Sequence, residues 1–210
     1  KWQAYYHICV ANAWTVKLCH DIHPQATVGC MLTSSSVATY PSNFIPVIVW
    51  GAYATVSMAN FYFGDAFCFC DIPGYVQRVW REHDFQPIMN DVELQLMKEN
   101  TVEFFSLSYY RSSTYDQDYD NGGDTGGITG KENPYLEGCS PKPWSWPIDP
   151  KGIRYILNVL YDRYHLPLFI VENGIGLDEK VDENGQINDI ERQKYIEDHL
   201  KYVYEAVLDG

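Results

Sequence analysis

Apolar residues recur along the chain at two periods. From about Gln3 to His20, Val10, Ala13, Trp14 and Leu18 fall three or four residues apart, the spacing of one helix face, and Pro24 ends the run. Thr27 to Leu32 is a short apolar stretch of strand type. A loop containing Tyr40 and Pro41 leads into a long apolar stretch, Val47 to Phe63, which predicts a buried helix with Gly51 as its weakest position. Tyr75 to Arg81 and Asp91 to Lys98 predict two short helices, the second capped by Asn90 or Asp91. Thr101 to Tyr110 is rich in β-formers and predicts a strand.

The pattern then breaks. Ser112 to Pro143 is dominated by Ser, Asp, Gly, Pro and Tyr, and a loop of that length is usually functional or mobile. Asp149-Pro150 opens the next helix, with Pro at its first position and Ile153, Ile156, Leu157, Leu160 and Tyr164 on one face. Pro167-Leu-Phe-Ile-Val-Glu-Asn-Gly174 is a short apolar strand. A last helix starts near Asn188 or Asp189, with Tyr195, Ile196, Leu200, Val203 and Val207 along one side, before Gly210. Helix, strand, helix, strand, helix, strand, helix is the alternation of parallel strands joined by crossover helices. Three such strands alone would leave unpaired edges and uncovered helix faces, so residues 1–210 are expected to form a fragment of one larger domain.

Charge and cysteine usage narrow the partners. A net charge of −13 lacks the cationic excess that binds phosphate backbones or anionic membranes, so neither nucleic acid nor membrane is expected. The six cysteines lack the spacing of a disulfide scaffold or a zinc ribbon and are expected to be reduced thiols in a cytoplasmic protein. Cys68-x-Cys70 and His20-x-x-His23 lack further metal ligands. Asp116-x-Asp118-x-Asp120 resembles the start of a calcium loop, but Asn121 stands where the loop needs Gly and Gly127 where it needs a bidentate Glu. No metal and no cofactor are expected. A dinucleotide-binding reading fails because Gly122-Gly-Asp-Thr-Gly-Gly127 comes too far past a strand.

The aromatic fraction of 15% suits both a core and surfaces that stack flat ligands. Glu172 directly follows an apolar strand, the place where a parallel barrel builds its active site, although Glu-Asn-Gly is equally compatible with a simple turn. Tyr110 at the previous strand's end could hydrogen-bond that carboxylate. Trp144 and Trp146 could either face a sugar ring or anchor the long loop.

Phe-Ile-Val-Glu172-Asn-Gly, Trp144-x-Trp146-x-Ile-Asp-Pro-x-Gly-Ile-Arg154 and Phe105-x-x-Ser-Tyr-Tyr110 together resemble glycoside hydrolase family 1. Gln3-Ala-x-x-His7, Val28-Gly-Cys-Met31, Tyr40-Pro41 and His165-Leu-Pro-Leu extend the likeness toward its bacterial 6-phospho-β-glucosidases, over essentially the whole chain. The resemblance implies an α/β fold, a partial (β/α)8 TIM barrel holding about strands five to seven. It implies Glu172 as nucleophile, Tyr110 as its hydrogen-bonding partner, and Trp146, Ser108 and Asn173 as substrate-binding residues. The implied ligand is a β-glucoside carrying a 6-phosphate. Ser108 stands where the family usually has Asn, and the phospho-glucosidase branch often carries Ser there. The family's acid/base Glu, in an Asn-Glu-Pro motif, is expected upstream of Lys1, and its phosphate-binding loop beyond Gly210. The fragment is therefore expected to be inactive alone. A non-catalytic carbohydrate-binding or scaffold protein with the same cleft is the competing expectation.

Overall fold

Three parallel strands organise the computed structural model, which describes residues 2–33, 38–116, 133–136 and 138–210. In chain order the elements are α1 (Trp2–Ile22), β1 (Gly29–Thr33), β2 (Thr39–Pro41), α2 (Pro46–Val56), α3 (Tyr62–Phe69), α4 (Gly74–Glu82), α5 (Asp91–Glu99), β3 (Phe104–Ser108), β4 (Ser113–Tyr115), α6 (Pro150–Tyr164), β5 (Leu168–Glu172) and α7 (Ile190–Asp209). The main sheet has the order β1-β3-β5, all parallel, so the predicted alternation gives neighbouring strands. Asp118, Asp120 and the glycine cluster 122–127 lie outside the described residues.

Each strand has two faces, and the sequence sorts them by period two. Cys30, Phe105 and Leu107 are buried and Leu168 and Ile170 pack onto the same core, which the strands share with α1, α3, α5 and α6. The alternate residues Met31 and Phe169 are exposed, on the face that would look into a closed barrel. Three strands cannot close one, so this face is open among the described residues.

α6 forms as its sequence predicts. Asp149 caps it, accepting a bond from the Gly152 amide at 3.0 Å, Pro150 occupies its first turn, and His165 ends it in a left-handed conformation with φ 50°. Of the two candidate caps for α5, Asn90 acts, accepting from Glu93 N at 2.8 Å.

Other expectations are corrected. The buried stripe of α1 is Tyr6, Cys9, Val10, Ala13 and Val16, whereas Trp14 and Leu18 are 54% and 57% exposed. Two adjacent apolar stripes compete on this helix, and periodicity alone could not say which meets the sheet. On α7, Tyr195 and His199 are buried while Leu200 and Val207 face outward. The stretch predicted as one buried helix is α2 and α3 joined by a π-helical segment, Ser57–Phe61, and it exposes Val47, Val49 and Trp50. A uniformly apolar run carries no moment to orient it. Thr39–Pro41 and Ser113–Tyr115, read as loop, pair as a second small parallel sheet. The chain leaving β3 thus meets the chain leaving β1 once more. No described helix is long and apolar enough to cross a membrane.

Candidate active site

β5 ends on Glu172, and β3 ends on Ser108, its partner in register. The Ser108 hydroxyl donates to Glu172 Oε2 at 2.6 Å, and the Tyr110 phenol donates to the same oxygen at 3.0 Å. Ser108 is buried, whereas Glu172 is exposed on the open face. Both donors favour the charged carboxylate, and together they hold Glu172 below the usual carboxylate range, Ser108 contributing most. Among the described residues Oε1 accepts no hydrogen bond, so one oxygen is held and the other is left to react.

The backbone around this pair is tied as firmly. Tyr109 N donates to Glu172 O at 3.0 Å, and Asn173 Nδ2 donates to Tyr109 O at 2.7 Å. The expected substrate-binding residues Ser108 and Asn173 therefore both make bonds inside the protein. Trp146 lies beside Tyr110, with ring centroids 5.4 Å apart, and the Arg111 guanidinium sits 5.7 Å from the Trp146 ring. Trp144, 40% exposed, stands against the loop after β5: a side chain on Gly176 would run into its indole, so that glycine lets the loop close onto it. Tyr40 points elsewhere, donating to Asp149 Oδ2 at 2.9 Å and joining the small sheet to the start of α6.

Sequence reasoning overlooked Tyr195 and His199. In the sequence pattern Tyr195 is one apolar position on a helical stripe. The signal available was a Tyr and a His four residues apart on a stripe otherwise suited to aliphatic side chains, which marks polar tips that need partners when buried. Among the described residues no three His, Cys, Asp or Glu side chains gather as a metal site.

The carboxylate geometry makes a direct prediction. Removing either donor, by Ser108→Ala or Tyr110→Phe, should raise the Glu172 carboxyl toward its ordinary value, with the larger change for Ser108→Ala. Carbon NMR titration of glutamate-labelled protein reads this, and an unchanged titration in both variants would contradict the arrangement.

A strand-end carboxylate held by donors from the neighbouring parallel strand lies where (β/α)8 barrels build their active sites. Comparison with known proteins agrees. The family model Glycosyl hydrolase family 1 matches residues 1–210, and the chain belongs to that family. It is 40% identical over 213 residues to aryl-phospho-β-D-glucosidase BglH of Bacillus subtilis and 41% identical over 211 residues to a 6-phospho-β-glucosidase of Dickeya chrysanthemi. Both alignments take in 100% of this chain and 44% of the relative, so the chain spans less than half the length of these relatives. Among solved structures, the β-glucosidase of Thermotoga maritima in complex with glucoimidazole superposes with a TM-score of 0.81 at 22% identity, over 98% of this chain and 44% of that one. The fold is thus a partial TIM barrel.

Proposed function

We propose that the complete enzyme is a cytoplasmic retaining β-glycosidase that hydrolyses 6-phosphorylated β-glucosides, with Glu172 as its nucleophile. The observation that carries this reading is the convergence of Ser108 and Tyr110 on one oxygen of a strand-end carboxylate whose other oxygen is open. In the first step the free Glu172 oxygen attacks the anomeric carbon, and the glycosidic oxygen leaves with a proton from a second carboxylic acid. In the second step that carboxylate takes a proton from water, whose oxygen displaces Glu172 and restores the anomeric configuration. The second carboxylate and the phosphate-binding residues are assigned to parts of the enzyme outside these 210 residues. Trp146, beside Tyr110, offers an aromatic wall to the aglycone. The 6-phosphate preference is supported by the phospho-glucosidase names of relatives at about 40% identity.

The test compares paired glucosides with and without the 6-phosphate on the complete enzyme, with the first-formed anomer read by proton NMR. The expected result is a kcat/KM at least on the order of 100-fold higher for the phosphorylated substrate, with a β-configured product. Equal turnover of both would remove the phosphate assignment, and an α product would remove the retaining mechanism. Turnover of neither would favour the non-catalytic binding protein. The isolated 210-residue chain is expected to leave unactivated substrates intact, because the acid that would protonate the leaving oxygen is proposed to lie outside it.

A further inference from the structure

We infer that Tyr195, on α7, is a positioning residue for the glycosidic reaction, acting through the main chain of Tyr110 to hold that residue's phenol on Glu172. The inference rests on the reading of Glu172 as nucleophile. Among the described residues Tyr195 makes no hydrogen bond to Glu172 itself. Its hydroxyl donates to the Tyr110 carbonyl at 2.7 Å and lies 3.4 Å from Asn173 Nδ2, the same nitrogen that holds the Tyr109 carbonyl. Two successive carbonyls, of Tyr109 and Tyr110, are therefore held by Asn173 and Tyr195. The segment that aims the Tyr110 phenol is fixed from behind.

Tyr195 is itself held. Its ring stacks on His199 at a centroid distance of 3.9 Å, and its carbonyl lies 2.7 Å from His199 Nδ1 one helical turn on. His199 is 1% exposed and also faces the Tyr109 ring at 5.9 Å. Burial keeps this imidazole toward its neutral form, which suits a packing surface. A phenol placed by such a stack cannot swing away, so its one polar atom serves the carbonyl of Tyr110. A core position needing only bulk would be met by Phe or Leu, with no hydroxyl to satisfy. Small displacements matter here, because a hydrogen bond weakens steeply as it bends away from linear and because misplacement of about 1 Å can cost on the order of 100-fold in rate.

Tyr195→Phe removes the hydroxyl and keeps the ring and its stack. In the complete enzyme we expect kcat to fall roughly 10- to 100-fold with KM changed far less, since Tyr195 is buried and acts through the main chain of Tyr110. The acid limb of kcat/KM should move to higher pH, as Glu172 loses a donor to its charged form. A purely structural role would lower the melting temperature and leave that limb in place.

The deciding measurement is independent of turnover: NMR titration of Glu172 in wild type, Tyr195→Phe, Tyr110→Phe and the double variant. Tyr195→Phe should raise the Glu172 pKa in the same direction as Tyr110→Phe, and the double variant should show no further rise, because both act through one hydrogen bond. Asn173→Ala, which removes the other support, should also raise it and serves if Tyr195→Phe does not fold. An unchanged Glu172 titration in Tyr195→Phe, or fully additive effects in the double variant, would overturn the inference. If the enzyme lacks glycosidase turnover but the titrations behave as described, the glycosidase reading fails while the coupling of Tyr195 to Glu172 stands.

Discussion

Replacing Glu172 by Gln in the complete enzyme is expected to lower kcat on the order of 10⁴-fold or more, with substrate binding largely kept. The amide is nearly isosteric and its oxygen can still accept from Ser108 and Tyr110, so the site should keep its shape. What it loses is the electron-rich oxygen that the proposed mechanism directs at the anomeric carbon. Binding should survive because Trp146 and the polar groups around the sugar remain. A mechanism-based fluorinated glycoside, 6-phosphorylated to suit the site, should label Glu172 in the wild type, as read by peptide mass spectrometry, and leave the variant unlabelled. Near-normal turnover of Glu172→Gln, or a label on another carboxylate, would falsify the assignment of the nucleophile.

The largest stability loss is expected at Asp65, well away from Glu172 in sequence and buried on α3. Its carboxylate takes a two-pronged contact from Arg163, at 2.7 and 2.6 Å, and hydroxyl donations from Tyr164 at 3.1 Å and Tyr75 at 3.0 Å. One side chain thus links α3, α4 and α6 behind the sheet. Asp65→Ala would leave a guanidinium and two phenols competing for no acceptor. Breaking a buried pair from one side costs about 3 to 5 kcal/mol. The lower end applies here, because the Arg163 side chain is 31% exposed and can recover some hydration. Urea unfolding of wild type and variant measures the difference, and a loss under about 1 kcal/mol would show that the network is a passenger. Asp65→Asn should fall between the two, since it keeps one acceptor oxygen and loses the charge.

Much of this architecture was readable in the residues, for physical reasons that also explain the failures. α6 was legible because three independent signals agree on it: the Asp149 cap, Pro150 and a single apolar stripe. The strands β3 and β5 were legible as short β-forming runs, and their parallel pairing followed from the helices between them. α1, α2 and α7 went wrong in facing rather than in existence, because each carries more apolar surface than one face needs. β2 and β4 were invisible, since a three-residue strand has too few side chains to show alternation and its pairing is set by distant chain. At the site, Glu172 and Tyr110 were marked by position and by family likeness. Tyr195 was missed because its contact is to a carbonyl, and a main-chain acceptor leaves no trace in the sequence of side chains.

The pairing of β3 with β5 runs Phe105 to Leu168, Ser106 to Phe169 and Leu107 to Ile170, then skips a residue so that Ser108 meets Glu172. A strand's side chains alternate strictly, so counting by twos from Leu168 and Ile170 would send residue 172 outward, toward the helices. The skipped residue reverses that parity and turns the carboxylate to the inner face, level with its serine. The direction of Glu172 is therefore written in an offset of the hydrogen-bond ladder as much as in the identity of residue 172. Anyone grafting this rim onto another barrel, or trimming β5 by a residue to idealise it, would keep every residue type of the rim and still point the glutamate into the wall.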